Sequence, residues 1–120
     1  MERIVDLDAA AGEIHARRAV WEAAGFTVGP VTWRDHAENW PQHLITERTA
    51  VFDPDSVGVR VDHGDCCVAY VVLFRGGWAD VDVIDPHTEE VHEVDGSGIT
   101  SVEAFGKLLD QVTARLLGGS

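Results

Sequence analysis

Residues 66–84 read Cys66-Cys67-Val68-Ala69-Tyr70-Val71-Val72-Leu73-Phe74-Arg75-Gly76-Gly77-Trp78-Ala79-Asp80-Val81-Asp82-Val83-Ile84: an apolar run, a glycine pair, then strict alternation. Two runs of strand length on either side of two glycines predict a tight hairpin. A two-residue turn at Gly76-Gly77 pairs Arg75 with Trp78, Phe74 with Ala79, Val72 with Val81 and Tyr70 with Val83. That face of the hairpin is apolar and suits packing helices. The opposite face then sets Leu73 against Asp80 and Val71 against Asp82, with Trp78 at its end.

Working outward, Val57, Val59 and Val61 alternate with Gly58, Arg60 and Asp62, which adds a strand before the hairpin. Asp85-Pro86-His87-Thr88 supplies a turn, Val91 to Val94 a further strand, and Gly96-Ser97-Gly98 an exit from the sheet. Pairing Asp85 with Glu90 places Val81 opposite Val94, Asp82 opposite Glu93 and Asp80 opposite Asp95. Residues 7–24 carry a helical pattern, with Leu7, Ala11, Ile14, Trp21 and Ala24 near one face, Asp6 or Asp8 as cap and Gly25 after the end. Arg17 and Arg18 interrupt that stripe. Phe26 and Val28, then Val31 and Trp33, predict a short edge strand broken at Gly29-Pro30, since proline cannot donate to a ladder. Residues 34–50 follow neither period and predict a loop or short helix. Thr100-Ser101-Val102-Glu103 has the form of a capping box, and Val102, Phe105, Leu109, Val112 and Leu116 then form one face of a terminal helix before Gly118-Gly119. The expected fold is one α+β domain over residues 1–120: an antiparallel meander of four to five strands with the N- and C-terminal helices packed on one face.

The 120 residues contain 9 Lys and Arg against 21 Asp and Glu, a net charge of −12. So acidic a chain is poorly suited to nucleic acid or anionic lipid, and a basic protein partner is its natural complement. Adjacent Cys66 and Cys67 point to opposite faces of a strand, which disfavours a disulfide between them. Both are expected to be reduced and at least partly buried. The start of the chain has no charged segment followed by an apolar stretch, and no run of eighteen apolar residues occurs, so a cytoplasmic location with no membrane association is expected.

No nucleophile elbow, phosphate loop, zinc-protease helix or dinucleotide fingerprint is present. Asp53-Pro54-Asp55 and Asp80-Val81-Asp82 are paired carboxylates of low specificity. His15, His36, His43, His63, His87 and His92 are scattered and no Cys/His set has zinc spacing. Trp33, Trp40, Trp78 and Tyr70 lack the basic surroundings that base stacking requires. No catalytic residue, metal ligand or cofactor is therefore assigned. The feature that asks for an explanation is the acidic sheet face, because like charges across a ladder destabilise it. Three explanations fit: a solvated face that keeps the protein soluble, a docking surface for a basic protein, or a divalent-metal site. The docking surface would comprise Leu73 and Trp78 as apolar anchors among Asp80, Asp82, Glu93 and Asp95.

The order of parts carries a resemblance. A helix ending in Ala23-Ala24-Gly25-Phe26-Thr27-Val28 precedes Gly77-Trp78-Ala79-Asp80-Val81-Asp82-Val83-Ile84-Asp85, then Thr88-Glu89-Glu90, then Ile99-Thr100-Ser101 opening a Leu-rich helix. This resembles the small acidic immunity proteins of bacterial polymorphic toxin systems, most nearly the TriTu type, chiefly over residues 57–117. Thr88-Glu89 departs from that pattern in lacking a glycine after the threonine. The resemblance implies a protein without catalysis that binds and neutralises a cognate, basic toxin of nuclease or deaminase type. Two other classes compete: a chaperone or regulatory subunit that holds an effector through the same face, and a small metal-dependent or acid–base enzyme, which would need convergent side chains in a pocket.

Overall fold

The computed structural model describes residues 4–37 and 42–118. Helix α1 (Leu7–Ala23) leads into β1 (Thr27–Val28) and β2 (Thr32–Asp35), a 3-10 turn at Arg48–Ala50, strands β3 (Pro54–His63), β4 (Cys66–Phe74), β5 (Trp78–Ile84) and β6 (Val91–His92), and helix α2 (Val102–Leu116). All pairings are antiparallel in the order β1-β3-β4-β5-β6, and β2 joins the same edge of β3 as β1. The two short strands are one strand broken at Gly29-Pro30, as expected. With β1 and β2 counted separately the sheet has six strands. Within the segment expected to be a loop or short helix, Arg34 and Asp35 instead complete β2, Arg48–Ala50 form the 3-10 turn, and Ile45 lies against the same edge, where it exchanges backbone bonds of 2.8 and 2.9 Å with Trp33. Trp40, and the first and last residues of the chain, lie outside the described residues.

Both helices lie on one sheet face and pack against each other. On α2, Phe105, Leu108, Leu109, Val112 and Leu116 are buried, the 3- and 4-residue spacing of an inward stripe. The Ser101 side chain, one residue later than the expected cap, accepts the Ala104 N–H at 3.0 Å. On α1, Asp6 caps through Asp8 and Ala9, and Leu7, Ala10, Ala11, Ile14 and Trp21 are buried. Ala24 is exposed, because the helix ends before it. The arginines that break the stripe have tertiary acceptors. Arg17 donates to the Gly106 carbonyl at 3.1 Å and to Asp110 at 2.9 Å on α2, and Arg18 donates to the Val28 and Gly29 carbonyls at 3.1 and 2.8 Å. Arg18 thereby satisfies backbone that the proline break leaves without a ladder.

The β4–β5 register differs from expectation by one residue. Phe74 pairs with Trp78, Leu73 with Ala79, Val72 with Asp80, Val71 with Val81, Tyr70 with Asp82 and Ala69 with Val83. The loop has three residues, Arg75-Gly76-Gly77, with Gly77 at φ 93° and its N–H bonded to the Phe74 carbonyl at 3.0 Å. A three-residue hairpin loop of this kind closes through a left-handed residue, which glycine adopts without a Cβ penalty. The shift exchanges the partners: Ala69, Val71 and Leu73 face the core with Ala79, Val81 and Val83. Leu73 is fully buried and does not stand on the acidic face.

A second irregularity moves the cysteines. Between Val61 and Asp62 the β3–β4 register shifts, so Asp62 pairs with Cys67 while Val61 pairs with Ala69. The extra residue, Val68, is buried beside Ala69. Cys66 is left exposed at the mouth of the strand, contrary to expectation, and Cys67 is half-buried; both thiols are free.

Candidate docking face

Opposite the helices, the alternation of β4 and β5 brings Tyr70, Val72 and Phe74 beside Trp78, Asp80 and Asp82. Phe74 and Trp78 stack directly across the ladder, centroids 4.0 Å apart and planes 15° from parallel. Trp78 remains 42% exposed. The stack orients the indole at the hairpin end of the face and leaves part of its aromatic surface open. Phe74 was not singled out from sequence, because the two-residue turn would have placed it on the core side.

The acidic neighbours arise from β5 and the segment that follows β6. The β5–β6 register agrees with expectation: Val83 pairs with His92 and Ile84 with Val91, and the Asp85 N–H bonds the Glu90 carbonyl at 2.8 Å. The Ala79 N–H reaches the Gly96 carbonyl at 2.7 Å, which keeps residues 93–95 alongside β5 although the strand itself ends at His92. A Cβ on Gly96 would come within 2.0 Å of the Ala79 carbonyl oxygen, so only glycine permits that approach. Asp80, Asp82, Glu93 and Asp95 are all exposed. Asp95 accepts the Ser97 hydroxyl at 2.7 Å and its N–H at 2.9 Å, and these bonds hold its carboxyl below the usual carboxylate range. A shallow depression of about 540 Å³ lies here, between Asp82, Val91, Glu93 and Asp95.

The face is charged in two halves. Toward β2 and β3, exposed Arg60 lies across from Tyr70 and binds Asp62 at 2.8 Å, and half-buried Arg34 lies across from Ser56. The exposed carboxylates Asp80, Asp82, Glu93 and Asp95 occupy the β5–β6 half. Of the six residues assigned to this surface from sequence, the fold brings together Trp78, Asp80, Asp82, Glu93 and Asp95 and removes Leu73.

Charged side chains also gather at the hairpin end of the sheet, beneath the start of α1. Buried Arg75 donates to both Asp53 oxygens at 3.1 Å and lies 3.7 Å from Asp55, which is 3.6 Å from His36. Arg48 clasps Asp8 at 2.6 and 3.1 Å and covers the Trp33 ring at 5.3 Å. Each arginine of this group has carboxylate partners, and its geometry ties loops together. Asp35, 2% exposed, accepts the backbone N–H groups of Phe52 (2.7 Å), Asp53 and Ala37 (both 3.0 Å). Among the described residues, no three His, Cys, Asp or Glu side chains form a group able to hold a metal ion. No helix among them is long and apolar enough to cross a membrane. No family model, curated protein or solved structure matches the chain.

Proposed function

We propose that this chain is a binding protein that docks a basic protein partner on the β5–β6 half of its outer sheet face and performs no chemistry of its own. The observation that carries the proposal is the stacked, 42% exposed Trp78 beside four exposed carboxylates, Asp80, Asp82, Glu93 and Asp95. Clustered charge accelerates encounter with an oppositely charged partner, and a pre-oriented aromatic contributes desolvated contact area that slows release. Together with the resemblance to immunity proteins, this supports a toxin-neutralising role in the cytoplasm, with a nuclease or deaminase as the inhibited partner.

The test uses the protein encoded beside this one as candidate partner. Asp80→Asn with Asp82→Asn should lower the association rate and flatten its dependence on salt, whereas Trp78→Ala should mainly raise the dissociation rate. Cells producing the partner should be rescued by co-expression of this chain, and rescue should weaken when all three substitutions are combined. Unchanged affinity and full rescue by that triple variant would remove the face from the interface.

A further inference from the structure

The free edge of the sheet lies on this same acidic half. The strand order ends at β6, and among the described residues no other strand pairs with it. Which backbone groups are free follows from the two anchors already described. The carbonyls of Glu90 and Gly96 both point to β5. In an antiparallel ladder the direction alternates residue by residue, so even-numbered residues turn their peptide groups to β5, and Val91, Glu93 and Asp95 turn theirs outward. Exposure alternates in step: Val91, Glu93 and Asp95 are exposed, while His92, Val94 and Gly96 are half-buried. Val91 is 76% exposed, although an apolar side chain contributes nothing to solubility there. Between the His92 and Gly96 anchors, moreover, no backbone bond joins residues 93–95 to β5.

We infer that this edge receives an extended segment of a basic protein partner as an added antiparallel strand, read as basic-x-basic-x-apolar opposite Asp95, Glu93 and Val91 in turn. The inference rests on the docking proposal above and narrows it to a binding mode. Residues directly opposite in an antiparallel pair share a face, so the partner's alternate side chains meet the two carboxylates and the exposed valine while its peptide groups bond the outward-turned backbone. A second copy of this chain is a poor occupant. A two-fold pairing centred on Glu93 would set carboxylate against carboxylate, the device by which natural sheets keep their edges from joining.

The probe is a capped peptide, Thr-Lys-Thr-Lys-Thr-Val-Thr-Thr, and a twin carrying N-methyl groups on both lysines and the valine, which keeps the charge but removes the donors that face β6. Titration into the labelled protein, followed by amide NMR, should show the unmodified peptide binding at least about tenfold more tightly than its twin. It should also slow hydrogen exchange at the Val91 and Glu93 amides. Glu93→Lys should lose about tenfold in affinity for it and gain as much for the peptide in which both lysines are glutamate, with the remaining amide spectrum unchanged. Equal binding by peptide and twin would overturn strand addition while leaving a basic docking face in place. Absence of binding by both would overturn the docking proposal as well. A dimer of the protein alone that protects the same amides would overturn the assignment of the edge to a basic strand.

Discussion

Asp35 is an ionisable side chain at a position facing the core, on the same face as Trp33, and it is there because three backbone N–H groups from two loops converge on it. Burial alone would raise its carboxyl, but the bonds from Phe52, Ala37 and Asp53 outweigh it and hold the group below its ordinary value. A depressed folded-state value means that the carboxylate contributes stability above the unfolded value, about 3.9, and that this contribution is lost as the pH falls through the folded one. Asn at this position offers one acceptor oxygen and brings donors of its own, so Asp35→Asn should cost about 1–3 kcal/mol at pH 7 by leaving buried donors unsatisfied. Urea unfolding should show the gap to wild type closing below about pH 4; a gap that stays constant with pH would mean that the charge is not what holds the loops. The same bonds fix the backbone that carries Phe52, 86% exposed, a second aromatic on the surface near the hairpin end. Nothing in the local sequence marks Asp35 as a buried charge, because two of its three partners are 17 and 18 residues away.

At the scale of elements, the β4–β5 loop decides which side chains are presented and which are buried. Gly77 sits at φ 93°, and a Cβ there would lie 3.2 Å from the Thr100 methyl and 3.4 Å from Ile4. Gly77→Ala should therefore destabilise the domain by about 1–2 kcal/mol from the left-handed backbone alone, seen as a lower thermal midpoint. Gly76→Ala, with no positive φ to satisfy, should cost less; equal costs would show that Gly77 is not held in the left-handed conformation. The sequence shows that a hairpin turns at Gly76-Gly77. Loop length is invisible in it, since both a two- and a three-residue loop use glycine, and one residue of difference reassigns every cross-strand partner. The β5–β6 register was legible because pairing Asp85 with Glu90 gives Val81 an apolar partner, as a shared core face requires; the acidic pairs on the other face are a consequence of that register and not a reason for it. The extra residue at Val68 was not legible, since an apolar run has no alternation for a bulge to interrupt.

For the molecule as a whole, the two helices are joined by a polar link within an apolar interface. The Trp21 indole, fully buried, donates to the Thr113 hydroxyl at 2.9 Å, which in turn donates to the Leu109 carbonyl at 2.8 Å. Thr113→Val keeps the shape and strands the indole N–H, and should cost about 1–3 kcal/mol. In a double-mutant cycle with Trp21→Phe, the pair should show a coupling of at least about 0.5 kcal/mol by denaturant unfolding; strict additivity would mean that the bond contributes nothing. The sequence by itself determined the fold class, the capped amphipathic α2, the broken edge strand, the meander order and the acidic composition of the β5 and β6 segments. All of these are written in periods of 2 and 3.6 and in turn residues that act within a few positions. Tertiary structure alone decided that Leu73 is core, that Phe74 stacks on Trp78, that Arg17 and Arg18 serve α2 and the proline break, and that Asp35 and Arg75 are buried with partners. Those outcomes depend on loop length, on a bulge and on acceptors distant in sequence, and burial of a charge is tolerated only where such partners converge.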